Sequence, residues 1–230
     1  MRVLVTRPAE DGAETAARLH AMGHEPLLAP LLTTHFLDMP APALDNVQAI
    51  LATSANGVRA FARLSPRRDL PLFAVGPQTA AEAAAAGFTT IRNADGDARA
   101  LGNAAARWTA PEKGVLLHVS GEQGSGALAE TLAAHGFALR KAVLYRVDAA
   151  TALPSAVQSA LAAGALDAAL FFSPRSARAF ARLAEGFSVH EMIAICISAA
   201  TAEGLAPLAF AATRIAGQPN QDALLARLAG

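Results

Sequence analysis

The stretch SANGVRAFARL (residues 54–64) is written a second time as SPRSARAFARL (173–183), with the same residue at seven of eleven positions. Each copy follows a short aliphatic run, ILAT before the first and ALFF before the second, and each starts with a serine. A short apolar run ended by a turn residue reads as a buried strand, and apolar residues three and four apart read as one face of a helix. The repeated unit is therefore strand, turn, helix. Ser54 and Ser173 stand where a helix takes its N-cap, and Pro174 occupies the favoured first helical position.

Working outward, the repeat widens. RVLVTRPAEDGAETAARLHAMGHEPLLAPLL (2–32) predicts a strand at 3–5, a helix at 13–22 stopped by Gly23, and a second strand at 26–32. GVLLHVSGEQGSGALAETLAAHGFALRKAVLYRV (114–147) follows the same plan. LFAVGPQTAAEAAAAGF (72–88) is matched by IAICISAATAEGLAPLAF (193–210), with Thr79 opposite Thr201. Three matches in the same order imply a duplication. Alternating strands and helices imply an α/β fold of two similar lobes, each a parallel sheet flanked by helices. THFLDMPAPAL (34–44) and RVDAATALPSA (146–156) read as crossings between the lobes. That predicts a discontinuous lobe of residues 1–36 and 149–230, a second lobe of 37–148, and a ligand cleft between them.

The 230 residues are 53% hydrophobic and 17% charged, ample for a core in each lobe. Nineteen basic and nineteen acidic residues cancel, which argues against a nucleic-acid partner but leaves room for a local basic cleft. A single cysteine, Cys196 in the run MIAICIS, permits no internal disulfide and reads as an inert core thiol. RVLVTRP lacks the apolar stretch of an export signal, and no run approaches the ~18 apolar residues of a membrane span. The expectation is a soluble, cytoplasmic monomer.

In parallel sheets ligands bind beyond the carboxyl ends of the strands, so the strand-to-helix turns carry the candidate sites. A capped helix N-terminus at Ser54 or Ser173 still points backbone N–H groups outward, toward a carboxylate or phosphate. In GPQTAAEA (76–83), Gly76 allows close backbone approach and Thr79 offers a hydroxyl in the first turn; SAATAEGL (198–205) puts Thr201 in the same place behind Ser198. Asn56, Gly121 and Ser176, in the same set of turns, complete the candidate binding residues. Arg7 reads either as a cleft cation or as a solvated turn residue, and Arg67 with Arg68 as a solvated loop. Tyr145 is either a core tyrosine whose hydroxyl meets backbone or a phenol donating a hydrogen bond in the cleft. SGEQGSG (120–126) lacks the Lys-Ser/Thr pair of a P-loop and the G-x-G-x-x-G order of a dinucleotide site. The six histidines show no metal-ligand spacing, and there is no G-x-S-x-G elbow.

The ordered set VLVTRP, ATSANGV, AVGPQTA, VSGE, VLYR, FFSPRSA and ATAEGL, spread over essentially the whole chain, resembles the uroporphyrinogen-III synthases. The resemblance implies two α/β lobes joined by a two-stranded connection. It implies a small-molecule partner, hydroxymethylbilane, a linear tetrapyrrole with eight carboxylates, closed to uroporphyrinogen III with loss of water and inversion of the last ring. No cofactor or metal is implied. Tyr145 matches the family's active-site tyrosine, Thr79 and Thr201 its turn threonines, Ser54 and Ser173 its turn serines, and Arg7 the arginine of the first turn. Ser198 and Ala199 stand where glycine and proline are usual, and Ser120 and Ser125 where many relatives carry arginine. A non-catalytic anion- or tetrapyrrole-binding module and a relative that has lost the chemistry stay open at this stage.

Overall fold

The computed structural model describes residues 1–124 and 126–229, the Glu10 side chain excepted; Ser125 lies outside the described residues. Val3, Leu4 and Val5, all fully buried, form β1 (Arg2–Val5). Helix α1 (Ala9–Ala21) follows, and Gly23, at φ +78°, takes the left-handed conformation that ends it. The single strand expected over 26–32 is two strands, β2 (Glu25–Leu28) and β3 (Leu32–Phe36), in different sheets. Pro30 lies between them and has no N–H to give to a ladder.

The chain continues through β4 (Val47–Ala52), α2 (Ala55–Leu64), β5 (Leu72–Ala74), α3 (Pro77–Ala85) and β6 (Ile91–Asn93). Next come α4 (Ala98–Trp108), β7 (Val115–Gly121), α5 (Ala127–Ala134) and β8 (Leu139–Ala149). The remainder holds α6 (Ser155–Ala162), β9 (Ala168–Phe171), α7 (Pro174–Leu183), β10 (Ile193–Cys196), α8 (Ala199–Glu203), β11 (Ala212–Ile215) and α9 (Gln221–Leu225). Both stretches read as crossings begin as strand, in β3 and in the last third of β8.

The chain divides into two compact units, Met1–Thr33 with Asp148–Gly230, and Thr34–Val147. The first has a five-stranded sheet in the order β11-β10-β9-β1-β2, parallel at every pairing. One face is covered by a core around Leu4, Phe171 and Phe180, the other by one around Val5, Leu19 and Leu224. The second has a six-stranded sheet in the order β3-β8-β7-β4-β5-β6, parallel from β8 to β6. Ile50, Phe61 and Leu117 mark the core on one face, and Leu51, Phe73, Leu101 and Leu132 the core on the other. Burying each such leucine or phenylalanine contributes about 1.5–3 kcal/mol, set against the conformational entropy lost on ordering it.

Set side by side, β2-β1-β9-β10-β11 and β8-β7-β4-β5-β6 are the same sheet order built from the same repeated segments. The duplication seen in the sequence is thus a duplication of architecture. Cys196 is fully buried at the end of β10, and burial pushes its thiol up to about 12, so it stays protonated. Arg67 pairs with Asp69 in the exposed loop, as expected of a solvated residue. Arg68 differs: its guanidinium donates to the carbonyls of Ser65 and Ala86 and lies over the Phe88 ring, pinning the loop to the end of α3. No helix among the described residues is long and apolar enough to cross a membrane.

Candidate active site

In the second unit, adjacent strands β8, β7, β4 and β5 deliver Tyr145, Gly121, Ser54 and Gly76 in that order along the carboxyl edge of the sheet. Ser54 caps α2 as expected: its backbone is extended and its Oγ accepts the Gly57 N–H at 3.4 Å. The same Oγ stands 2.8 Å from the phenol oxygen of Tyr145. The ring of Tyr145 is 9% exposed, so the phenol is neither loose in solvent nor met by backbone; its partner is a serine side chain. Gly121, expected to meet substrate, lies against the Tyr145 ring, where an added Cβ would be 2.8 Å from Cε2.

Asn56 is engaged within the unit. Its Nδ2 donates to Thr34 Oγ1 at 3.0 Å, and its Oδ1 accepts from Arg59, whose guanidinium also pairs with Glu82 at 2.7 Å. Thr34, Arg59 and Glu82 were not singled out from the sequence. The available signal was the arginine repeated at 59 and 178 in the two FARL copies. At the next turn, Gly76 precedes α3 without any side-chain cap, and space is open where its Cβ would stand. Thr79 is 4% exposed, and its hydroxyl has no hydrogen-bond partner among the described residues.

Behind this edge, on the opposite face of the sheet, His118 is 5% exposed and its Nε2 lies 3.1 Å from Thr53 Oγ1. Burial, and after it the charge of Lys141, pushes the imidazole down to about 4, so it is neutral near neutral pH. Ser120 is 2% exposed and donates to the Ala142 carbonyl.

The first unit repeats the turns with different occupancy. Ser173 caps α7 by accepting the Ser176 N–H at 3.1 Å, and Ser176 Oγ donates back to the Ser173 carbonyl at 2.9 Å. Ser198 caps α8 through Thr201 N, and the two hydroxyls are 3.0 Å apart; Thr201 is fully buried. Arg7 is neither solvated nor free. Its side chain is 10% exposed, pairs with Asp11 at 3.2 Å, donates to Gln221 Oε1 and lies over the Phe172 ring. It ties the turn after β1 to α9. Among the described residues no cluster of three His, Cys, Asp or Glu side chains is placed to hold a metal ion.

A chain with this edge of hydroxyls and one phenol has solved relatives. It matches a uroporphyrinogen-III synthetase from Helicobacter pylori at 19% identity and TM-score 0.68, over 100% of this chain and 99% of that one. It also matches a mutant uroporphyrinogen III synthase from Thermus thermophilus at 20% identity and TM-score 0.56, over 100% and 97%. These likenesses establish the fold. No curated protein matches the sequence. Residues 13–226 match the family model described as uroporphyrinogen-III synthase HemD, which covers nearly the whole chain. The chain belongs to the uroporphyrinogen-III synthase family, the cyclising lyases of tetrapyrrole biosynthesis.

Proposed function

We propose that the chain closes hydroxymethylbilane to uroporphyrinogen III, with Tyr145 as the proton donor to the departing hydroxyl. Loss of that hydroxyl as water leaves a cation stabilised by the pyrrole nitrogen, so the step needs an acid more than a nucleophile. The last ring then attacks through its substituted carbon to give a spiro intermediate, and the bond from that carbon to the neighbouring bridge breaks. The bridge cation so formed is attacked by the same ring's unsubstituted carbon, and the proton lost from that carbon restores the phenol. The observation that carries this reading is the placement of the chain's only tyrosine, buried at the sheet edge with its oxygen 2.8 Å from the Ser54 hydroxyl.

Holding a flexible, many-charged chain is the other half of the task, and positioning effects of several kcal/mol are available for it. The uncapped turn at Gly76, with Thr79 in the first turn behind it, is proposed as a carboxylate cradle. Ser173, Ser176 and the turn at Thr201 are proposed as further anchors through backbone N–H groups, since their hydroxyls already serve the caps. Asn56 and Arg7 are proposed to act on substrate through the groups they orient. The reading includes a cytoplasmic monomer with no nucleic-acid partner.

The test is a coupled assay that generates hydroxymethylbilane in place and separates the porphyrin isomers after oxidation. Isomer III above a no-enzyme control is the expected result. Isomer I alone, at the spontaneous rate, would return the chain to the non-catalytic binding reading.

A further inference from the structure

We infer that Gly121 and Ser54 are positioning residues for the Tyr145 phenol, brought to it by a bulge in the β7–β8 pairing. The inference rests on the reading of Tyr145 as proton donor and adds how the fold aims it.

Side chains alternate between the faces of a strand, so two consecutive residues do not normally enter the same core. Leu144 and Tyr145 do: both are buried in the cluster that holds Val58, Phe61 and Val119. The pairing explains it. Ser120 lies opposite Val143, but Gly121 lies opposite Tyr145, so Leu144 is an extra residue in β8. A slip of one residue reverses every side chain beyond it. The bulge therefore turns Tyr145 from the α4–α5 side of the sheet to the side covered by α2, where Ser54 stands.

The turned ring needs room. A Cβ on Gly121 would stand 2.8 Å from Tyr145 Cε2, 3.0 Å from Cζ and 3.3 Å from Cδ2, closer than such atoms approach. The ring lies on the bare Cα of Gly121. Retreat of the backbone is opposed next door, where the Glu122 N–H donates to the Tyr145 carbonyl at 3.0 Å. Alanine at 121 would push the phenol away from Ser54.

Ser54 then decides where the phenol proton can go. Its oxygen already accepts the Gly57 N–H, and its own proton is available to the phenol oxygen 2.8 Å away. With that bond made, the phenol O–H is left to point at a ligand. Once the phenol has given up its proton, only Ser54 of the pair can still donate. The bond strengthens as charge develops on the phenol oxygen, and α2 directs its positive end to the same place. An interaction stronger in the transition state than in the ground state raises turnover without tightening substrate binding.

The experiment uses the full chain, with Gly121→Ala, Ser54→Ala, Ser54→Thr and Tyr145→Phe in the isomer assay. Because there is one tyrosine, labelling with [13Cζ]tyrosine gives one NMR resonance that reports the phenol's surroundings without any assay. Expected for Gly121→Ala and Ser54→Ala are a kcat lowered about 10-fold or more with KM little changed, and a displaced tyrosine resonance. Ser54→Thr keeps the hydroxyl and recovers most of what Ser54→Ala loses. Parental kcat in both Gly121→Ala and Ser54→Ala, beside a slow Tyr145→Phe, overturns the positioning inference and leaves the donor reading standing. Parental kcat in Tyr145→Phe overturns both. Should Gly121→Ala fail to fold, the two Ser54 variants decide.

Discussion

Tyr145→Phe removes one oxygen and keeps the ring that packs on Gly121, so it separates chemistry from packing. The lost hydrogen bond to Ser54 costs about 1 kcal/mol of stability, and turnover is expected to fall about 10- to 100-fold, read as kcat alongside the melting temperature. Thr201 answers differently. It is fully buried with its hydroxyl on Ser198, so Thr201→Asp places a charge where no cation compensates it among its bonded partners. The expected result is a loss of several kcal/mol in denaturant unfolding, before any effect on affinity. His118 gives the pH dependence. Its folded-state value is about 4, against ~6.5 in the unfolded chain, so the unfolded state takes up the proton first as pH falls. The stability this residue contributes is complete above pH ~6.5 and is lost progressively toward pH ~4, by roughly 3 kcal/mol. In urea titrations at pH 7 and pH 4.5, His118→Gln is expected to lose less than the parent between the two. An equal loss in both proteins would remove His118 as the cause.

At the scale of elements, α2 is set by one close approach. A Cβ at Gly57 would stand 2.5 Å from the Val119 carbonyl oxygen, so the first turn of α2 rests directly on β7. Gly57→Ala is expected to lift that turn, cost about 1–3 kcal/mol in unfolding, and carry Ser54 away from Tyr145. A variant as stable as the parent would show that α2 shifts without strain. The same elements show what is legible in a sequence. The caps at Ser54, Ser173 and Ser198 could be read because a cap is local: one side chain and the N–H three residues on. Tyr145 stood out as a unique residue at the end of an aliphatic run. The bulge beside it could not be read, since it is a property of two strands in register rather than of either alone. The split at Pro30 is legible as a proline inside an expected strand. Arg7 left two readings open, cleft cation or solvated turn residue, because its partner Gln221 lies 214 residues away, a pairing that only the fold reveals.

At the scale of the molecule, the two units run through one sheet order with their halves swapped along the chain. In the first unit β1-α1-β2 comes before β9 to β11; in the second, β7-α5-β8 comes after β4 to β6. The second unit is therefore an uninterrupted segment, Thr34–Val147, whereas the first is assembled from both ends of the chain. This asymmetry has a physical consequence. The two cores of the second unit, around Phe61 and around Leu101, draw all their members from within that segment. A domain of that length with its own two cores buries enough apolar surface to fold independently. Residues 34–147 expressed as a separate chain are expected to unfold cooperatively, with coincident far-ultraviolet and tyrosine signals. The first unit is expected to form after the second, since its two parts meet only after a loop of more than a hundred residues has closed. The isolated segment keeps Tyr145, Ser54 and Gly121 together, so its [13Cζ]tyrosine resonance should coincide with that of the whole chain. It lacks Ser173, Ser176 and Thr201, so the assay should show no isomer III from it. A folded segment that still made isomer III would place the entire active site in the second unit. A resonance displaced from the whole chain's position would mean that the first unit helps to hold the phenol.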